Sequence, residues 1–291
     1  MDWDGLAAEI SEATGEPFRV ADVSAHAGGS IHRAQVIRGV DGRRYFVKTN
    51  AAADLPMFET EMTSLRTMRD ADAIRVPEPV CCGENAGRSY IVLEYIALSR
   101  PRRGGEARLG EELAALHRFT GDAFGFHEDN FCGRTPQGNT PADPDWVAFY
   151  RDRRLEPQFR WAREKGLAVR GAERLMENLD RFFEDYRPAP SLLHGDLHGG
   201  NIGFDAEGKP VIFDPACYYG DREADIAFTE VFGGPGRSFY EAYHAAWPMD
   251  ADYAVRKELY NLYHILNHYN LFGGGYGPQA EGMVANLLGR V

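Results

Sequence analysis

Cations are scarce in this 291-residue chain. Its 32 Lys and Arg face 44 Asp and Glu, a formal net charge of −12. Affinity for phosphate backbones rests on clustered Lys and Arg, so the balance argues against a nucleic-acid partner. It also argues against a basic anchor on a membrane surface. Long apolar runs are missing as well. The longest candidate, 90–98, carries Glu94 and falls far short of the roughly 18 residues of a membrane span. No membrane partner is expected. Cysteine is limited to Cys81, Cys82, Cys132 and Cys217, with no C-x-x-C spacing. Adjacent Cys81 and Cys82 are poor partners for each other, so the expectation is four reduced thiols in a cytoplasmic protein. A redox-sensitive thiol is the functional alternative. The opening segment, MDWDGLAAEISEATGEP, has neither the basic nor the apolar stretch of a secretory leader. Repeats, low-complexity tracts and a Walker A glycine pattern are also absent from the sequence.

What is present suits a folded protein. Apolar residues make up 44% and charged residues 26%, too apolar for disorder and enough for a sizeable core. The length fits two lobes or one large domain. Leu6, Ile10 and Ala13 mark an amphipathic helix over 2–14. Strand patterns follow at 18–23, 31–38 and 44–48, the last after the turn dipeptide Asp41-Gly42. Met57, Met62, Leu65 and Met68 predict a helix over 57–70, and SYIVLEY predicts a strand over 89–95. The polar, Gly-rich stretch 99–106 reads as a boundary, giving an N-terminal lobe 1–98 and a C-terminal lobe 99–291. Beyond it, helical patterns occupy 107–119, 145–165, 171–186, 236–247 and 252–271, around a strand–loop–strand block at 191–214. The expected class is α+β, with a β-rich N-lobe and a mainly helical C-lobe.

The block LLHGDLHGGNIGFDAEGKPVIFDP carries the chemistry. Asp196 follows His194-Gly195, Asn201 comes five residues later, and Asp214 ends the apolar run Val211-Ile212-Phe213. Phosphoryl transfer needs a positioned hydroxyl, a held Mg²⁺ and neutralised phosphates. A carboxylate on a tight loop can accept the hydroxyl proton, which suits Asp196. Mg²⁺ takes hard oxygen ligands, and Asn201 and Asp214 can supply them from opposite sides of a hairpin turning at Glu207-Gly208. The order Asp-x4-Asn, strand, Asp matches the catalytic-loop and metal-Asp layout of protein kinases. An incidental acidic hairpin does not explain that order.

The N-terminal part holds the partners such a block requires. Lys48 ends the strand pattern YFVK and can reach the α- and β-phosphates. Glu61, in the predicted helix, can pair with it; Glu59 is the less favoured candidate. On its own, Lys48 would read as a solvated strand-end lysine. Gly28, Gly29 and Ser30 can turn a loop over the phosphates, although Gly-Gly is also a common hairpin turn. Glu94, Tyr95 and Ile96 stand where an interlobe hinge would bond adenine, or are a plain strand end.

Together these segments resemble the fructosamine-3-kinase, or ketosamine kinase, family within the aminoglycoside phosphotransferase and protein-kinase-like group. HGDLHGGN and DPACYYGDRE look like its active-site block. FGFHEDNFCG at 124–133 is similar to a family segment, as are Asp145-Trp146 with Phe149-Tyr150, FGGPGRSFYEAYH at 232–244 and LNHYNLFGGGY at 266–276. The resemblance implies a two-lobed kinase-like fold with the nucleotide between the lobes. It implies ATP and Mg²⁺ as cofactors. It also implies transfer to the 3-hydroxyl of a ketosamine, free or protein-borne, whose 3-phosphate eliminates and frees the amine. By position, Asp196 is the base, Asn201 and Asp214 bind metal, Lys48 with Glu61 orders the phosphates, and Glu94, Tyr95 and Ile96 form the hinge. Many relatives have an aromatic where this chain has His198, so His198 is a substrate-side candidate. Ser30 stands where eukaryotic relatives often have Cys, so no thiol switch is expected there, and a monomer is expected.

The remaining candidates have plainer alternatives. His194 is expected to brace its loop by hydrogen bonds. Asp225 is expected to hold neighbouring backbone at a helix start. Trp146 and Tyr218 are either core aromatics or walls of the sugar site. His264, Asn267 and His268 have helical spacing; His264 and His268, at i,i+4, suggest a metal pair, but a helix face lining a substrate cleft is favoured because no Glu follows the first His. The competing functions are a related kinase for aminoglycosides, choline or homoserine-like alcohols, and a nucleotide-binding pseudokinase.

Overall fold

Helix formation starts at Asp2, whose side chain accepts from the Asp4 N–H and caps α1 (Trp3–Thr14). Beyond it, the computed structural model describes residues 1–26 and 32–290. Gly28, Gly29 and Ser30 therefore lie outside the described residues. In chain order there follow β1 (Val20–His26), β2 (Arg33–Gly39), β3 (Arg44–Ala51), α2 (Leu55–Asp70), β4 (Pro79–Asn85), β5 (Arg88–Glu94), α3 (Gly105–His117), β6 (Asn130–Cys132) and β7 (Thr135–Gln137). Next come α4 (Trp146–Tyr150), a π-helical turn Arg151–Leu155, α5 (Glu156–Glu164) and α6 (Ala172–Glu177). Then β8 (Ser191–Leu193), β9 (Ile202–Phe204), β10 (Pro210–Ile212) and β11 (Tyr218–Gly220) precede α7 (Glu223–Thr229), α8 (Arg237–Ala246), α9 (Tyr253–Phe272) and α10 (Tyr276–Leu288). The class is α+β, as expected. Packing divides the chain into two units, Met1–Gly105 with Gly203–Pro215, and Glu106–Ile202 with Ala216–Val291.

The first unit is built on an antiparallel sheet of order β1-β2-β3-β5-β4. Side chains alternate along a strand, and β3 shows what that does. Tyr45 and Val47 enter the core with Leu6 and Ile10 of α1. Lys48 consequently points to the opposite face, where α2 presents its buried stripe of Phe58, Glu61, Met62, Leu65 and Met68. Strand β4 was not expected, because Pro77 and Pro79 read as a stop. Pro79 instead opens the strand, where no ladder N–H is required. The hairpin β9–β10, from Gly203 onward, belongs to this unit. Arg75 donates to Asp205 at 2.5 Å and to Glu94 at 2.7 Å, and the Ile212 N–H donates to the Arg75 carbonyl at 3.0 Å. Asp205 closes the turn through the Glu207 and Lys209 N–H groups.

The second unit is mainly helical. Its spine is α9, from which Leu259, Tyr260, Leu262, Tyr263, Ile265 and Leu266 are buried. A helix buried almost all round needs neighbours on every side, and α5, α7 and α10 pack on it. Helix α10 was not expected. Among the described residues no helix is long and apolar enough to cross a membrane.

Candidate active site

The first unit concentrates charge around one lysine. Lys48 is 5% exposed and donates to Glu61 Oε1 at 2.6 Å and to Asp214 Oδ1 at 2.5 Å. Burial alone would lower its pKa. The two carboxylates outweigh it and raise the value, so Lys48 stays protonated. Glu61 rather than Glu59 is the partner, because Glu61 lies on the buried stripe of α2. Asp214 adopts a left-handed backbone, φ +61°, two residues after β10. Such strain persists where surrounding contacts impose it; here the carboxylate is held on Lys48. At the end of β5 the Glu94 N–H donates to the Glu78 carbonyl at 2.7 Å, and Arg44 lies over the Tyr95 ring at 4.4 Å.

The second unit holds the loop that leaves β8. The N–H groups of His194 and Gly195 donate to Asp225 of α7 at 2.7 and 2.9 Å, and His117 Nε2 lies 3.2 Å from the same carboxylate. The Ala216 N–H donates to the His194 carbonyl at 2.8 Å. His194 also takes the Asp196 N–H on Nδ1 at 3.3 Å. It braces the loop, as expected. Asp225 likewise holds backbone, but of the distant loop after β8 rather than of its own helix start. Gly195 has φ +80°, and a Cβ there would meet the Ala216 carbonyl oxygen at 2.0 Å. Gly195→Ala is therefore expected to lower stability by about 2–3 kcal/mol, read as a reduced urea midpoint. A midpoint equal to wild type would contradict the assignment of strain.

Downstream, His198 Nδ1 accepts the Gly200 N–H at 3.0 Å and opens the turn that carries Asn201. Asn201 Nδ2 donates to the Asp196 carbonyl at 2.9 Å; its side-chain oxygen is of the type that could hold a hard cation. Asp196 is half-buried. Cys132 of β6 places its thiol 3.6 Å from Asp196 Oδ1. Burial, then the Asp196 charge, pushes that thiol well above its usual pKa, so the sulfur is a donor to the carboxylate. His264 of α9 stacks on Phe228, with ring centroids 3.5 Å apart. Burial, helped by the neighbouring His268, His198 and Arg154, drives its pKa well down and keeps the imidazole neutral.

Trp146 and Tyr218 sit in the core, 3% and 4% exposed. Trp146 donates to Tyr260 at 3.0 Å, and Tyr218 lies beneath Arg154 at 4.0 Å. That burial follows from the cluster of Phe124, Phe149, Tyr150 and Tyr260 around Trp146. His198 stays partly open and sets its edge against Phe228 and Phe232. Sequence reasoning missed Cys132 beside the loop; Asn267, expected with His264 and His268 on one helix face, donates to the Cys132 carbonyl and sulfur. The family-like segment ending FCG contained Cys132, but nothing in its spacing points at Asp196.

A lysine strand and an Asp-bearing loop in an α+β frame define a class, the kinase-like phosphotransferases. A choline kinase from Streptococcus pneumoniae shares the fold at TM-score 0.65, with 13% identity over 99% of each chain. The sequence narrows this further. The profile of the family Fructosamine kinase matches residues 2–290, and the chain belongs to that family. A Synechocystis protein named as a probable ketoamine kinase is 43% identical over 98% of this chain and 97% of its own. The chloroplastic protein-ribulosamine 3-kinase of Arabidopsis thaliana is 41% identical over 94% of this chain and 85% of its own. The crystal structure of a fructosamine-3-kinase homologue from Haemophilus somnus matches at TM-score 0.91, with 27% identity over 98% of this chain and 97% of that one.

Proposed function

We propose that this chain transfers the γ-phosphoryl group of ATP to the 3-hydroxyl of a ketosamine of the ribulosamine or fructosamine type, a step in protein deglycation. The observation that carries the reading is the buried lysine held by Glu61 and Asp214, residues far apart in sequence that meet only when the chain folds. The named relatives supply the substrate class.

In this reading Lys48, locked as a cation, pairs with phosphate oxygens, and Glu61 fixes its direction. The main chain of Glu94, Tyr95 and Ile96 bonds adenine, a carbonyl accepting from the exocyclic amino group and an N–H of Tyr95 or Ile96 donating to a ring nitrogen, since the Glu94 N–H already serves the Glu78 carbonyl. The acceptor hydroxyl gives its proton to Asp196 as the phosphoryl group moves in line. The Asp225 carboxylate and the Asn201 amide hold the Asp196 loop in place for that transfer. Asn201 and Asp214 carry the amide and carboxylate oxygens that suit Mg²⁺, and the ion, when bound, supplies positive charge against the phosphates. His198, partly open on the same loop, faces the substrate side. A cytoplasmic monomer completes the proposal; all four cysteines are unpaired thiols, which supports a reducing compartment.

The test is an ADP-release panel with ribulosamines, fructosamines, aminoglycosides, choline and homoserine. Ketosamines are expected to give the highest kcat/KM. Good rates on another alcohol with none on any ketosamine would overturn the reading. No turnover on any of them would favour a pseudokinase.

A further inference from the structure

Three donor atoms of different chemistry converge beside the Asp196 loop. One atom each from Cys132, Asp196 and His264 lies within 4.8 Å of the other two. Tetrahedral zinc, with bonds of about 2.0–2.3 Å, sets its ligand atoms about 3.4–3.6 Å apart. Cys132 Sγ and Asp196 Oδ1 already stand 3.6 Å apart, so two of the three donors have the spacing of a tetrahedral site and the imidazole lies within 4.8 Å of both. We propose that Cys132, Asp196 and His264 form a binding site for zinc, or a similar borderline divalent ion, distinct from the oxygen donors assigned to Mg²⁺.

A second observation points the same way. His264 is 5% exposed, and its Nδ1 is buried without a hydrogen-bond partner. A buried ring nitrogen in that state carries a desolvation cost that a metal bond would remove. The sulfur is prepared as well. Asn267 Nδ2 lies 3.4 Å from Cys132 Sγ and 3.3 Å from the Cys132 carbonyl. Thr135 donates to Asn267 Oδ1 at 2.5 Å, which fixes the amide with its N–H groups toward the sulfur. Donors aimed at a ligating atom are the outer-shell arrangement that metal sites use. The donor set of one sulfur, one nitrogen and one carboxylate oxygen favours zinc over magnesium, which prefers oxygen alone. On binding, the thiol proton leaves to solvent and the S–Zn bond forms. Thiolate and carboxylate then balance the charge of the ion, and water takes the fourth position.

The consequence is inhibition. Zinc on Asp196 occupies the carboxylate that would accept the substrate proton. The inhibitory half rests on the assignment of Asp196 as base; the binding half does not.

The experiment uses the full-length protein, freed of metal with chelator, and titrates Zn²⁺ and Co²⁺ without ATP. Wild type is expected to bind one Zn²⁺ and to show a thiolate-to-cobalt absorption in the near ultraviolet. Cys132→Ser is expected to lose that absorption and to bind Zn²⁺ at least tenfold more weakly, with an unchanged circular dichroism melt. His264→Gln provides a second variant in case the serine chain unfolds, with the same expected weakening. Zinc binding unaffected by either substitution, or a cobalt complex without thiolate absorption, would overturn the site. Turnover with MgATP is then measured against added Zn²⁺. Inhibition that Cys132→Ser relieves at least tenfold supports both halves. Tight thiolate-bound zinc without inhibition leaves the site standing and removes Asp196 from the base role.

Discussion

Asp196→Asn is expected to lower kcat by about 10²–10⁴-fold, the usual contribution of a positioned general base, while ATP binds as in wild type. The reasoning is steric as much as electrostatic. The amide has the shape of the carboxylate, so the loop keeps the Asn201 contact to the Asp196 carbonyl and the His194 contact to the Asp196 N–H. Only the capacity to take a proton is lost. A kcat within a few-fold of wild type, at an unchanged nucleotide Kd, would take Asp196 out of the base role. A fall in both kcat and nucleotide affinity would show instead that the substitution disturbs the loop.

Asp225→Ala should have the largest effect on stability. Asp225 is 2% exposed and accepts two main-chain N–H groups and His117. Removing it orphans two buried donors of the Asp196 loop, and breaking such a buried set costs about 3–5 kcal/mol. Burial pushes the Asp225 carboxyl up. The hydrogen bond and charge of His117, with His194, pull harder, and the net value lies below the ordinary 3.8. A carboxyl depressed in the folded state contributes stability that is complete above its unfolded pKa and lost as pH falls through the folded one. The gap in unfolding free energy between wild type and Asp225→Ala should thus be widest at neutral pH and narrow below 3.8. A gap independent of pH would show that the charge of Asp225 contributes nothing.

Legibility in the sequence followed the physics of each signal. The helix over 2–14 and the strands around 44–48 and 89–95 were visible because period and turn chemistry are local. Helix α10 was not, since Gly277 and Gly282 blur its apolar stripe. The expected helix over 171–186 became α6 and a short 3₁₀ segment at Leu179–Phe183, because propensity sets no boundary where packing decides. Lys48, Glu61, Asp196, Asn201 and Asp214 stood out because polar residues ended or interrupted apolar runs. The Lys48 pairs with Glu61 and Asp214 then met at hydrogen-bonding distance. Cys132 gave no such signal, and Asn267 only helical spacing with His264 and His268. The approach of Cys132 to Asp196, and of Asn267 to Cys132, depends on how β6 and α9 pack, a tertiary fact without a local pattern.

The decisive measurement is which hydroxyl carries the phosphate in the product. Wild-type protein, MgATP and a ribulosamine are mixed, and the products are followed by phosphorus–proton correlation NMR. The expected result is phosphorus coupled to the proton on carbon 3 of the ketosamine, followed by release of the free amine as that ester eliminates. Phosphorus on any other hydroxyl, or ATP consumed with the ketosamine unchanged, would contradict it.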